Sequence, residues 1–72
     1  MFVYIKILSG DTYKIKVISE YNSFAMAYDI QDSIGDFLKV TSNRIIMFKN
    51  EDKIDLFDEI DCGTILNVLI DL

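Results

Sequence analysis

The first seventeen residues, MFVYIKILSGDTYKIKV, alternate inward and outward side chains on either side of a glycine, and few folds can use such a segment. Val3 and Ile5, with the odd positions from Met1, fall on one face, while Phe2, Tyr4 and Lys6 fall on the other. A period of two in β-branched and aromatic residues is the mark of a pleated strand. After Ser9-Gly10-Asp11 the pattern resumes, with Tyr13, Ile15 and Val17 inward and Thr12, Lys14 and Lys16 outward. Gly10 supplies the positive φ that a hairpin with a bulged turn requires. The chain therefore opens with a β-hairpin whose apolar inner face the remaining residues must cover.

There is little chain left with which to do so. The 72 residues make one domain, and a domain this small buries only a modest share of its surface. A content of 51% hydrophobic residues and the absence of proline offset that limit. Disulfides cannot help, because Cys62 is the lone cysteine, which fits a reducing, intracellular and cytoplasmic setting. The opening apolar run alternates and is broken by lysine, unlike a signal peptide. No apolar run approaches the roughly 20 residues that span a bilayer, so no membrane partner is expected. Twelve acids against seven scattered bases give a formal charge of −5, which argues against nucleic acid as a partner.

Beyond the hairpin, Asn22 or Ser23 is a good helix N-cap, and from Phe24 to Ile34 the apolar spacing changes to three and four. A helix over about residues 23–34 is expected, with Met26, Ala27, Ile30 and Ile34 inward, Phe24 and Tyr28 paired on a flank, and Gly35 as its left-handed stop. Asp36 to Asn43 reads as a loop that tucks Phe37, Leu38 and Val40 under the helix end. Arg44 to Phe48 is a third strand, Lys49 to Lys53 a polar turn, and Ile54 with Leu56 a short edge strand. Phe57 to Cys62 reads as an irregular turn with Ile60 inward, and Thr64 to Leu72 as the last strand. The result is an α+β fold: a mixed five-stranded sheet, order 2-1-5-3-4, crossed by one α-helix. The near-continuous apolar final strand suits the centre of that sheet, beside the first. This is the β-grasp arrangement.

The residues themselves resemble ubiquitin over the whole chain. The opening carries Met1, Tyr4, Lys6, Leu8, Gly10, Thr12 and Val17 in the ubiquitin pattern. Ile30-Gln31-Asp32 followed by Gly35 is similar to the ubiquitin helix. Arg44-Ile45-Ile46-Met47 is similar to its third strand after an apparent two-residue insertion near Asp36-Phe37, and Ile60 with Thr64 to Leu72 to its closing segment. The departures bear on function. The given sequence ends Ile70-Asp71-Leu72, without the two glycines through which ubiquitin is conjugated, so a non-conjugated relative is expected. The alternative is a covalent modifier or sulfur carrier whose diglycine lies further downstream. The positions of most linkage lysines carry Asp11, Ala27, Asp29, Ser33 and Cys62, and Ala27 implies loss of a buried ion pair.

The resemblance implies a protein-binding site. Ubiquitin is recognised through an aliphatic patch whose counterparts here are Leu8, Ile46 and Leu69, with Asn67 where a histidine usually helps. Strand alternation adds Phe2, Tyr4, Phe48 and Ile65 to the same outer face, and together they form a contiguous apolar surface larger than monomers normally expose. Lys6, Asn67 and Arg44 interrupt and rim it. The expected partners are ubiquitin receptors or ubiquitin-pathway enzymes, or a second copy in a homodimer; alternatively the loop from Asp36 to Asn43 covers part of the face.

Catalysis has little support, and no enzyme activity or cofactor is expected. There is no histidine, and Cys62 lies among Asp58, Glu59 and Asp61, unlike the electropositive setting of a nucleophilic cysteine. The acids from Asp52 to Asp61 lack the glycine and terminal glutamate of a calcium loop. They loosely resemble the acidic motif of PB1 domains, with Lys6, Lys14 and Lys16 as a matching basic face, which would make the chain an electrostatic self-assembly domain.

Overall fold

The two strands furthest apart in sequence lie side by side at the centre of the sheet. In the computed structural model, which describes residues 1–71, β1 (Phe2–Lys6) pairs in parallel with β7 (Ile65–Ile70), with Tyr4 opposite Ile65, Ile5 opposite Leu66 and Lys6 opposite Asn67. Antiparallel to β1 runs β2 (Thr12–Lys16), and antiparallel to β7 runs β4 (Ile45–Lys49). A two-residue strand, β5 (Asp52–Lys53), closes the far edge. The sheet order is β2-β1-β7-β4-β5, the order expected for the β-grasp arrangement. One helix, α1 (Ala27–Leu38), crosses the inner face, which completes a mixed α+β fold of the β-grasp type.

Side chains behave as the alternation requires. Val3, Ile5, Ile15 and Val17 from the hairpin, Ile45 and Met47 from β4, and Leu66 and Val68 from β7 are buried against Ala27, Ile30 and Ile34 of the helix. The hairpin turn closes through the Ile7 N–H donating to the Asp11 carbonyl and the Gly10 N–H to the Ile7 carbonyl, with Gly10 at φ +94°. The turn into β5 manages without glycine, since Asn50 takes the left-handed conformation (φ 59°) that asparagine tolerates. That tight turn brings the edge strand forward to Asp52–Lys53, instead of the expected Ile54 and Leu56, and leaves Ile54 buried. The expected end of the last strand at Leu72 lies outside the described residues.

The largest departure from expectation is where the helix begins. Residues 24–26 are not helical but form a short strand, β3 (Phe24–Met26), antiparallel to β6 (Glu59–Asp61), within the segment expected to be an irregular turn. Neither Asn22 nor Ser23 caps the helix; Met26 occupies the N-cap without a side-chain bond. The first orphan donors of the helix (left without partners inside it) are taken by that returning segment. The Ala27 N–H donates to the Asp58 carbonyl and the Tyr28 N–H to the Leu56 carbonyl. A partner remote in sequence replaces the local cap, and no local motif announces it. Phe24 and Tyr28 consequently part company, one on a strand and the other on the helix.

The helix also runs one turn past Gly35. Its left-handed stop is Lys39 (φ 60°), whose N–H, like that of Val40, donates to the Gly35 carbonyl. Phe37 and Leu38 are therefore helical. Leu38 and Val40 pack on the core as expected, whereas Phe37 stays about half exposed against Tyr13, with ring centroids 5.3 Å apart. Glycine at position 35 serves close approach: a Cβ there would sit 2.7 Å from the Val40 carbonyl oxygen and 3.4 Å from the Ser42 Cα. Helix propensity favours alanine by about 1 kcal/mol, but forcing backbone apart costs about 1–3 kcal/mol. Gly35→Ala should therefore destabilise the domain by about 1 kcal/mol net in urea unfolding, lowering Tm by several degrees. An unchanged or raised Tm would show that the connection over the helix yields freely.

Candidate protein-interaction surface

Strand register fixes which side chains share the outer face of the sheet. One row runs Lys14, Tyr4, Ile65 across β2, β1 and β7. The next runs Thr12, Lys6, Asn67, Phe48, Lys53 across all five strands. Leu69 opposite Ile46 forms a third row, and Phe2 opposite Lys16 a fourth at the other end. All the aliphatic and aromatic residues anticipated for this surface do project on it, but they form two groups.

In the first group the Phe2 and Tyr4 rings meet edge to face, 5.5 Å between centroids, beside Ile65, which is 62% exposed. The Lys14 ammonium lies 4.2 Å from the centre of the Phe2 ring, a cation–π contact worth about 0.5–1 kcal/mol at an exposed site. In the second group Leu69 and Ile46 are cross-strand neighbours, and Leu8, in the hairpin turn and 89% exposed, lines a shallow depression with Lys6, Asn67 and Leu69. The row carrying Lys6 and Asn67 separates the groups, so the apolar surface is divided where a continuous one was expected. Phe48 sits in that dividing row, diagonal to both Ile65 and Leu69, a separation aromatic side chains can span.

The connection from the helix to β4 leaves this face open. Leu38 and Val40 turn toward the core, and the Gln31 amide, near the middle of α1, donates to the Ile45 carbonyl (2.9 Å), tying the helix to the start of β4. Arg44 is exposed just ahead of β4, and its carbonyl accepts the Asp71 N–H. Charge is segregated as well. Lys6, Lys14, Lys16 and Lys53 occupy outward positions of the strands, and no Asp or Glu does. The acids lie on the helix, on β6, in the turns and connections, and at Asp52 of β5, which alternates away from the outer face. Such a face offers apolar side chains set among basic ones.

A second surface was missed by sequence reasoning. Tyr21 stacks on Phe24 (4.5 Å, 13° between planes) and Tyr28 meets Phe57 (6.1 Å), and both pairs border one cleft beside the start of the helix. An excess of aromatic residues between positions 21 and 28 was the available signal, but the helical assignment of Phe24 hid it. Cys62 is a half-buried free thiol whose N–H donates to the Ser23 carbonyl, which ties β6 to the connector before β3.

Scanned against protein-family models the chain matches none, and no curated protein matches it by sequence. Among the described residues no helix is long and apolar enough to cross a membrane.

The exposed side chains of the outer face should contribute little to stability. Leu8→Ser and Ile65→Ser should each change the unfolding free energy by less than about 0.5 kcal/mol, as surface substitutions do. Leu66→Ala, at a fully buried position on the same strand as Ile65, should cost about 2–5 kcal/mol. Equilibrium urea unfolding of the three variants separates the two classes.

Proposed function

We propose that this chain is a ubiquitin-like interaction module that binds a protein partner through the outer face of its sheet. Leu8, Ile46 and Leu69 make the primary contact, Asn67 and Phe48 lie at its margin, and Phe2, Tyr4 and Ile65 extend it. The observation that carries the reading is an open face holding two apolar groups among lysines, with no acid at an outward position of its strands. Two further points support it: the resemblance of the residue order to ubiquitin, and the β-grasp topology that gives those residues a common face. The partner should bring aliphatic or aromatic side chains flanked by carboxylates, and ubiquitin receptors and ubiquitin-pathway enzymes are the classes the resemblance suggests. Recognition of this kind requires neither catalysis nor an activated C-terminus. The free thiol supports an intracellular, cytoplasmic setting.

A titration of isotopically labelled protein with a ubiquitin-receptor domain tests this directly. Amide shifts should centre on Leu8, Ile46, Asn67 and Leu69, and Leu69→Asp should weaken binding at least about tenfold, as loss of a central interface residue does. Ile46→Asp is the stronger probe, while the partly exposed Leu69 guards against misfolding as an explanation. Shifts confined to the helix side, or none with any receptor domain, would remove the basis for this assignment.

Charge segregation favours one second reading, head-to-tail self-assembly in which Lys6, Lys14 and Lys16 of one copy meet the acids between Asp55 and Asp61 of the next. Sedimentation at low ionic strength should then show a mass that rises with concentration and falls back to monomer in high salt, because exposed ion pairs are screened. A monomer at all concentrations and salts excludes it.

A further inference from the structure

The geometry points to a binding site for the cationic side chain of a basic polypeptide segment, in the cleft between the 18–24 connector and the turn that follows Ile54. The cleft encloses about 530 Å³, within the range of small-ligand sites, and none of its lining residues belongs to the five-stranded sheet. The proposal does not depend on the function assigned to the outer face.

Three observations carry it. The first is the aromatic lining. Tyr21 stacked on Phe24 forms one pair and Tyr28 with Phe57 the other, with Met26 in the same lining. Faces of aromatic rings attract cations through their quadrupole. The second is charge: Glu20, Asp29 and Glu59 line the same cleft and no lysine or arginine does, so its fixed charges are all negative. An apolar ligand would gain nothing from those carboxylates, and an anion would be repelled. A cation with an alkyl stem satisfies both linings at once.

The third observation is that the connections carrying the exposed rings are held by hydrogen bonds within the chain, with no ligand needed to form them. The Ser19 hydroxyl donates to the Phe24 carbonyl (3.0 Å) and accepts from the Tyr21 N–H (3.2 Å), which closes the connector and sets Tyr21 on Phe24. On the other side, the Phe57 N–H donates to the Asp55 carboxylate, the Asp55 N–H to the Asp58 carboxylate, and the Asp58 N–H to the Asp55 carbonyl. The Tyr28 N–H donates to the Leu56 carbonyl, so the helix start and the Phe57 turn are fixed to one another. Phe57 is 77% exposed, with its ring edge to face against Tyr28. Preorganisation of this kind lowers the ordering cost of binding.

The test is an amide-shift titration with a short capped peptide bearing one arginine, alongside matched peptides bearing lysine, trimethyl-lysine, citrulline or norleucine. The cationic peptides should shift Tyr21, Phe24, Tyr28 and Phe57, and the relative affinities of arginine, lysine and trimethyl-lysine identify the preferred cation. Phe57→Ala, at an exposed position, should weaken binding by about threefold to thirtyfold, the value of one ring toward a cation. Glu20→Gln with Glu59→Gln should weaken it further and flatten its salt dependence. Citrulline or norleucine binding as well as arginine would overturn the proposal, as would an absence of shifts in the cleft at millimolar cationic peptide. Cleft shifts that appear on concentrating the protein alone, with a rise in mass, would also overturn it, since the occupant would then be a second copy.

Discussion

The parallel pairing of β1 with β7 is the contact on which the rest of the molecule depends. The Tyr4 N–H donates to the Thr64 carbonyl at 2.9 Å and the Gly63 N–H to the Phe2 carbonyl at 2.8 Å, so the beginning of the chain is bonded directly to its end. Parallel neighbours cannot be joined by a tight turn, and the chain between them must leave the sheet and return. Here the chain between them contains β2, the helix, the small second sheet and β4 with β5. Because β2 flanks β1 and β4 flanks β7, both central strands are shielded on each side, and Val3, Ile5, Leu66 and Val68 are almost wholly excluded from solvent. Residues of high sequence separation must meet before any of this burial is realised, which makes closure of that pair the entropically demanding step of folding.

The same excursion explains what could and could not be read from the sequence. Periodicity of two survives wherever a strand has one buried and one open face, so the hairpin, β4 and β7 were legible from alternation, while the sheet order followed from the succession of elements and the β-grasp arrangement they suggest. The inner stripe of the helix was legible too, through Ala27, Ile30 and Ile34. Its boundaries were not. Phe24 to Met26 is a strand because Glu59 to Asp61 pairs with it, and three residues carry too short a pattern to be told from the first turn of a helix. Gly35 was read as a stop on local grounds, although its real constraint comes from Val40 and Ser42 crossing over it. In each case the decisive partner is distant in sequence or fixed only by the tertiary path, and single-sequence propensity carries no information about it.

The outer face shows the complementary limit. Alternation identified which residues project outward, since β-register leaves no freedom once the inner set is buried. It did not reveal their two-dimensional arrangement, because the offset between strands determines which outward residues become neighbours. Lys6 and Asn67 fall in one row through the β1–β7 offset, and that row divides what a list of outward residues makes look continuous. The aromatic cleft lay still further out of reach, since it needs the connector, the helix start and the turn around Phe57 to converge.

The two surfaces also differ in how their apolar side chains are held. On the sheet, Phe2, Tyr4, Ile65 and Leu69 are carried by strands that the core would require in any case, so their positions cost the fold nothing extra. Around the cleft, Tyr21 and Phe57 sit on connections with little core contact, and side chain to backbone bonds at Ser19, Asp55 and Asp58 fix those connections instead. Ordering an exposed loop residue costs about 1–2 kcal/mol of backbone entropy, and a net hydrogen bond returns about 0.5–1.5 kcal/mol, so such turns break even at best. The bonds that shape the cleft therefore add little to stability, while they set the position of rings that the core does not use. That balance is the physical distinction between the two faces: the first is a by-product of the sheet, and the second is specified separately.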